Sequence, residues 1–232
     1  MTPFQEKQLA AMRQMEKAFA TNPSASQTVS IQNNYASNDQ LCLTTVSFLP
    51  KELATHIYKE LIEPLQLIDP THYYFPVDAL HLTVQNVRVI AKPPNYDAGT
   101  IERAKSVFST VIPTYAPQVF SLDGLLCMPT SLAIVALSTP DYDTLVRNLR
   151  KNLTQNDCAD DKSYFTDEII FANISICRYT KIPDQKFFDF IKIWHDKHIG
   201  NFIAKNVSLI ETNAGCHPSK TTMFDTYEFR KI

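Results

Sequence analysis

The sequence predicts an α+β fold in which two similar lobes of antiparallel sheet, with helices outside, face a central cleft. Segments with the two-residue alternation of strands are interspersed along the chain with segments that have helical periodicity. Each half of the chain, roughly 40–120 and 120–232, also contains one short strand with the same polar pattern. The two halves therefore resemble copies that a quasi-two-fold axis would bring together.

We expect residues 1–40 to form an N-terminal helix and linker, and residues 41–232 to form a single bilobed domain. A helix is predicted over 4–20, where large apolar residues recur at helical spacing: Leu9, Met12, Met15 and Phe19. Residues 22–39 are rich in Ser, Asn and Gln, which predicts a loop or linker. The methionine and phenylalanine stripe has two interpretations, a dimer contact or, more commonly, packing on the protein's own surface.

The remaining elements follow from the same two periodicities. Strands are predicted at 41–49, from His81 to about Ile90, at 118–126, at 131–137, around Asn173, at 207–213 and at 223–229. Helices are predicted at 51–65, 100–115, 141–153 and 184–198. Gly200 fits a stop after the last helix, and Arg150 is predicted on the more exposed side of the third.

Composition is ordinary for a soluble globular protein: 232 residues, 44% hydrophobic, with a formal net charge of −2. That charge argues against a broad basic surface for binding duplex nucleic acid, but it is compatible with a small basic pocket. The five cysteines are scattered and lack a Cys-x-x-Cys pair, which argues against a disulfide framework and a zinc site. With no membrane-length apolar segment and no signal peptide, a cytoplasmic protein is expected.

The candidate site begins with two strands of identical layout. On the first, His81 and Thr83 share one face while Leu82 points to the other. A histidine beside a hydroxyl suits the binding and protonation of a phosphate oxygen, whereas the alternative is a polar face exposed to water. On the second strand, 92 residues further on, Asn173 and Ser175 share one face in the same way. The repetition favours a site over a mere surface.

These motifs resemble the 2H phosphoesterase superfamily, bilobed proteins that include 2′-5′ RNA ligase-like and cyclic phosphodiesterase-like enzymes. The family pattern is His-x-Thr/Ser-apolar, present once per lobe on strands that face a cleft. The stretch His81-Leu82-Thr83-Val84 matches it in full. The second copy matches at Ile174-Ser175-Ile176 and departs at Asn173, where the family has its second histidine. The first 40 residues lie outside the resemblance.

The resemblance implies chemistry without metal or cofactor on the 2′,3′-cyclic phosphate or 2′-5′ phosphodiester ends of nucleotides or RNA. His81 would be an acid, a base or a phosphate ligand, and Thr83 and Ser175 would donate hydrogen bonds to phosphate. Asn173 would bind in place of the second histidine, and catalysis would be weakened. The alternative is a catalytically inactive protein that binds a nucleotide or RNA end. A third hypothesis is an α+β protein in which both motifs are structural.

Three other features have both a functional and a purely structural interpretation. His217 is the histidine to test as a substitute for the one missing at Asn173, although an exposed loop residue is the favoured interpretation. Arg178 follows the second motif, but strict alternation puts it on the apolar face unless the strand kinks after Cys177. The aromatic stretch Tyr73-Tyr74-Phe75 has two open roles, stacking on a base and packing in the core.

Overall fold

One antiparallel sheet of nine strands runs through the computed structural model, which describes residues 1–22 and 29–231. The strands are β1 Leu41–Phe48, β2 Tyr73–Tyr74, β3 His81–Ala91, β4 Gln118–Met128, β5 Ser131–Leu137, β6 Ala172–Arg178, β7 His198–Ala204, β8 Asn206–Thr212 and β9 Thr222–Glu228. Their order across the sheet is β7-β4-β5-β6-β3-β1-β8-β9, and the short β2 pairs with β6.

Six α-helices accompany the sheet in the described residues: α1 Pro3–Thr21, α2 Lys51–Ile57, α3 Glu63–Ile68, α4 Ala98–Val111, α5 Pro140–Gln155 and α6 Gln185–Trp194. A π-helical stretch, Tyr58–Ile62, joins α2 to α3. Side-chain caps fix three of the starts, because Thr2, Asp97 and Asp184 each accept a hydrogen bond from a backbone N–H of the first turn. None of the helices in the described ranges has the length and apolar character needed to cross a bilayer.

The predicted helix over 184–198 was too long, because its end belongs to strand β7. Helix α6 ends at Trp194, and the chain from His198 onward pairs with β4 at the edge of the sheet. Gly200 therefore lies within a strand and does not stop a helix. Periodicity alone could not detect this strand, because the strand is stabilised by hydrogen bonds to the edge of β4, which lies far away in the sequence.

Two groups of four strands form the lobes, which confirms the predicted bilobed α+β fold. Strands β3, β1, β8 and β9 form one lobe, and β6, β5, β4 and β7 form the other. The division by chain halves was wrong for the closing hairpin, since β8 pairs with β1 and so completes the first lobe. The lobes join where β3 meets β6, at a pairing between Leu82 and Ile174.

Helix α1 is an exception to the prediction that the helices lie outside. Its buried Met12, Met15 and Phe19 pack in a cluster that is separate from the main core and that also contains Val135. Val135 lies directly opposite Asn173 in the ladder between β5 and β6, and directly paired residues share a face. Helix α1 therefore covers part of the second lobe on its cleft side, and its apolar stripe packs on the protein's own sheet.

We expect Met12→Ala to lower the free energy of unfolding by about 2–5 kcal/mol, because a fully buried side chain would leave a cavity between α1 and the sheet. Leu67→Ala is the control, since Leu67 is 88% exposed and its truncation should change stability by about 0.5 kcal/mol or less. Urea denaturation of both variants tests this. An equal, small effect of the two substitutions would contradict the packing of α1 on the second lobe.

Candidate active site

The junction of the two lobes gathers the motif residues on one face of the sheet. Leu82 and Ile174 are paired and fully buried. Their neighbours are half-buried and line one cavity of about 540 Å³: His81, Thr83, Asn173 and Ser175. A cavity of this size is within the usual range for small-molecule sites. The structure thus brings together the four site residues that the sequence predicted.

Antiparallel pairing fixes the arrangement of these four side chains. In such a ladder the residue before Leu82 lies on the same side as the residue after Ile174. His81 is therefore on the Ser175 side of the junction, and Thr83 is on the Asn173 side. The two positions that carry histidine in the family pattern are diagonal corners, on opposite sides of any group bound between the strands.

Both motif strands contain a β-bulge at the same place. Opposite β1, Thr45 pairs with Gln85 and Val46 pairs with Thr83, so Val84 is an extra residue. Opposite β5, Ala133 pairs with Ser175 and Leu132 pairs with Cys177, so Ile176 is an extra residue. Each bulge lies three residues after the first motif position. The two strands also share the same sequence of buried and half-buried positions, over 81–86 and 173–178.

The bulge in β6 changes the face on which Arg178 lies, whereas strict alternation predicted the apolar face. With one extra residue after Ser175 the alternation shifts, and Arg178 lies on the polar face and lines the cavity. Its Nε donates a hydrogen bond to the Ala214 carbonyl at 2.8 Å, which leaves the other guanidinium N–H groups available. Burial lowers the pKa of Arg178, yet a guanidinium keeps its charge in proteins. The signal in the sequence is the adjacent apolar pair Ile176 and Cys177, which interrupts the alternation.

The charged residues that line the cavity in the described chain are all basic. Besides His81 they are Arg150, Lys162 and Arg178, and no carboxylate is among the lining residues. Arg150 was predicted on the exposed side of its helix, but it is half-buried and lies 3.6 Å above the ring of Tyr164. The loop that follows α5 supplies Lys162 and Tyr164. This basic pocket within an acidic chain favours an anionic ligand.

His81 is held so that one ring nitrogen stays available. Its Nδ1 lies 2.7 Å from the Ala79 carbonyl, which only accepts, so Nδ1 carries the proton and Nε2 is left for the cleft. The rings of Phe48 and Phe75 pack on the imidazole, with centroids 6.0 and 6.1 Å away. Burial lowers the pKa of His81, but the Cys216 thiol and the Ala79 carbonyl outweigh burial and raise it above its usual value.

The other three motif side chains are free to bind. Thr83, Asn173 and Ser175 have no side-chain hydrogen-bond partner among residues 1–22 and 29–231. Polar groups that are half-buried and unpartnered favour a ligand that supplies the missing hydrogen bonds. The two hydroxyls and the amide therefore suit the oxygens of a bound phosphate.

The remaining candidates are divided between the cleft and the core. Phe75 lines the cavity, whereas Tyr74 is buried with its hydroxyl bonded to the Leu65 and Asp69 carbonyls. Tyr73 packs against His217, whose Nδ1 lies 2.9 Å from the Ser219 hydroxyl, and neither residue lines the cavity. His217 thus does not occupy the role that Asn173 leaves open.

Comparison with known proteins supports the fold and nothing finer. No protein-family model matches the sequence, and no curated protein matches it. Among solved structures, apo LigT from E. coli superposes with a TM-score of 0.57 at 12% identity, covering 84% of this chain and 100% of that one. The chain has the LigT fold. The protein TT0787 of Thermus thermophilus gives a TM-score of 0.58 at 14% identity, over 82% and 98% of the two chains.

A further structure with this fold is described as a phosphoesterase, with a TM-score of 0.56 at 12% identity over 83% of this chain and 99% of that one. E. coli LigT itself has been crystallised with phosphate, ATP, NADP⁺ and 3′-AMP. The LigT fold agrees with the bilobed α+β architecture that the motif resemblance implied.

We expect Arg178→Met to weaken the binding of inorganic phosphate about 10- to 100-fold, since a charge-assisted hydrogen bond contributes about 1.5–3 kcal/mol. Isothermal titration calorimetry measures the change. Arg230→Met is the control, because it removes the same charge from an exposed side chain that has no partner among the described residues. Arg178→Lys should retain part of the affinity. Equal losses in Arg178→Met and Arg230→Met would contradict a local role for Arg178.

Proposed function

We propose that the protein is a phosphoesterase of the two-histidine type, in which the loss of the second histidine has weakened catalysis. Its substrates would be the 2′,3′-cyclic phosphate or 2′-5′ phosphodiester ends of nucleotides or RNA. The observation that carries the proposal is the single cavity in which His81, two free hydroxyls and three basic side chains converge without a carboxylate. The LigT fold and the phosphate and nucleotide ligands of E. coli LigT support it.

Phosphate would lie over the junction between the lobes. Thr83 and Ser175 would donate hydrogen bonds to its non-bridging oxygens, and Arg178 would balance its charge. The Asn173 amide would donate a further hydrogen bond from the opposite corner. Since these groups are already in place on two paired strands, binding would need little reordering of the protein.

His81 would act as the proton-transfer group. Since Nδ1 donates to the Ala79 carbonyl, Nε2 carries a proton only in the imidazolium form, which the raised pKa of His81 favours. The imidazolium would give its Nε2 proton to the leaving oxygen as the bond from phosphorus to that oxygen breaks. An attacking water would approach from the opposite corner, where a second histidine would remove its proton in the family pattern. Asn173 does not exchange protons near neutrality, and a missing acid or base typically slows a reaction about 10²–10⁴-fold.

Part of the cavity wall is an apolar patch that suits the apolar part of a nucleotide. This patch consists of Met15 and Phe19 from α1 with Phe165 and Phe171 from the loop before β6. The rings of Phe19 and Phe165 are in edge contact, with centroids 6.0 Å apart. Because this contact joins α1 to the loop at the wall of a cavity of about 540 Å³, the site would take a mononucleotide or a strand end and not a duplex.

The second candidate is a binding protein without turnover, and Asn173 is the observation that favours it. An amide at this corner retains hydrogen bonds to a phosphate while removing half of the proton-transfer pair. The two functions differ in one measurable respect, which is whether His81 is needed for turnover or only for affinity.

Hydrolysis of 2′,3′-cyclic mononucleotides tests the proposal. We expect slow turnover by the wild type, its loss in His81→Ala, and a rate about 10²–10⁴ times higher in Asn173→His, in which a second proton-transfer group returns to the vacant corner. Asn201→His is the control, because Asn201 is exposed on β7 away from the cavity.

Each other result has a definite meaning. A wild type without turnover, with activity that appears only in Asn173→His, would identify the binding protein. Calorimetry with 3′-AMP would then show wild-type binding that weakens in His81→Ala. An absence of turnover in all variants together with an absence of nucleotide and phosphate binding would overturn both functions.

A further inference from the structure

Two basic side chains of the cavity have no part in the phosphate contacts described above. They are Arg150, from α5, and Lys162, from the loop between α5 and β6, and together they form the basic pair. The Arg150 guanidinium lies 3.6 Å from the centroid of the Tyr164 ring, and Lys162 Nζ lies 5.5 Å from it. The ring attracts both cations, but the cations repel each other. Since no carboxylate lines the described cavity, the basic pair suits a bound anion.

Arg150 is held in position by groups of the protein itself. Its Nε donates a hydrogen bond to Gln85 Oε1 at 3.3 Å, and Gln85 is only 1% exposed. The Nε2 of Gln85 donates in turn to Asp160 and, at 3.2 Å, to the Tyr164 hydroxyl, so that one buried amide links α5 to the loop. The terminal nitrogens of Arg150 have one ion pair in the described chain, a 4.0 Å contact with Asp167, whose side chain is 90% exposed. Such a pair contributes little, which leaves these nitrogens available to a ligand.

Lys162 combines an anchored backbone with an unpaired ammonium group. Its backbone N–H donates to Asp160 Oδ1 at 3.1 Å, and the next carboxylate, of Asp161, accepts the backbone N–H of Val89 at 2.6 Å. In contrast, Lys162 Nζ has no hydrogen bond or ion pair with any of residues 1–22 and 29–231. An ammonium has three N–H donors and no acceptor, so all three are available to the oxygens of an anion.

The basic pair approaches the cavity from the Asn173 side of the junction between the lobes. Gln85, which bonds to Arg150 and to the loop that carries Lys162, lies two residues beyond Thr83 on β3. Thr83 is on the Asn173 side, because β3 and β6 are antiparallel at their single pairing. The basic pair therefore belongs to the end of the cleft where the second histidine of the family pattern is missing.

Arg178 belongs to the other end of the cleft. It follows Ser175 on β6, which is on the same side of the junction as His81. Basic groups thus flank the junction at both ends. Two residues of a strand cover at most about 7 Å, so Gln85, the anchor of the basic pair, lies about that far beyond Thr83. A ribose with a phosphate on each side spans a separation of this size.

We propose that Arg150 and Lys162 form a second phosphate subsite, so that the preferred ligand is a nucleotide with a phosphate on both the 3′ and the 5′ side of one ribose. This rests on the proposed function, in which the first phosphate lies over the junction. The second phosphate receives hydrogen bonds from the terminal nitrogens of Arg150 and from Lys162 Nζ. No bond is made or broken at the subsite, which contributes affinity and orients the first phosphate.

Two kinds of ligand carry phosphates in this arrangement. A mononucleotide has a phosphate monoester on its 5′ side, whereas the last nucleotide of an RNA strand has a diester that continues to the preceding nucleotide. Both present anionic oxygens to the basic pair, and they differ in charge and in the length of chain that must leave the cavity.

Isothermal titration calorimetry tests the subsite with three ligands: 3′-AMP, adenosine 3′,5′-bisphosphate, and the dinucleotide ApAp, which ends in a 3′-phosphate. We expect the wild type to bind the bisphosphate about 10- to 100-fold more tightly than 3′-AMP, because charge-assisted hydrogen bonds to the 5′-phosphate contribute a factor of that order. An equal gain with ApAp would assign the subsite to a strand end. A gain confined to the bisphosphate would assign it to a mononucleotide.

Substitutions of the basic pair show which side chains provide this gain. Lys162→Met should weaken the bisphosphate at least about tenfold more than 3′-AMP, and Lys162→Arg should retain most of the difference. Arg150→Met should act in the same direction, with urea denaturation to check the fold, since Arg150 also packs on Tyr164. Lys197→Met is the matched control, because Lys197 Nζ lies 4.8 Å from the centroid of the Trp194 ring but does not line the cavity. Equal effects of Lys162→Met and Lys197→Met would overturn the proposal.

Arg178→Met keeps this proposal apart from the proposed function. Loss of bisphosphate affinity in both Arg178→Met and Lys162→Met would support the two together. Loss in Arg178→Met alone, with a wild type that binds the bisphosphate and 3′-AMP equally, would overturn the second subsite and support the first. Loss in Lys162→Met alone would support the second subsite and contradict a phosphate over the junction. Binding of none of the three ligands by the wild type would overturn both.

Discussion

The pairing of Leu82 with Ile174 is the constraint on which the site depends. This contact between β3 and β6 is where the two lobes become one sheet, and both side chains are fully buried beneath the cleft. A shift of one residue in either strand would turn its polar residues into the core, since strand side chains alternate between faces. The same apolar contacts that stabilise the fold thus determine that His81 and Asn173 face the cavity.

Matching β-bulges after the two motifs extend this symmetry beyond the motif residues. Each bulge shifts the alternation so that a third polar residue of its strand reaches the cavity, Asn86 in the first lobe and Arg178 in the second. The lobes differ in what occupies equivalent positions. His81 in the first lobe corresponds to Asn173 in the second, and Asn86 corresponds to Arg178, so the cleft is symmetric in backbone and asymmetric in chemistry.

Most of the fold could be predicted from the sequence, because nearly all helices and strands carry their own periodicity. The exceptions depend on distant partners. Strand β7 forms because β4 needs an edge partner, and α1 lies on the cleft side because Val135 and its neighbours offer an apolar surface there. The prediction that Arg150 is exposed was wrong, because helical periodicity does not reveal the following loop. That loop folds back over the helix and brings the ring of Tyr164 beneath the Arg150 guanidinium.

The sequence alone determined which residue types face the cleft: His81, Thr83, Asn173 and Ser175 follow from alternation on two similar strands. Only the tertiary structure decided what surrounds them. Arg178 needed a bulge, which breaks alternation, and Lys162 needed a loop that brings it to a cavity lined by strands remote in the chain. The physical reason is that alternation is local to one strand, whereas charge and burial depend on neighbours that are remote in the chain.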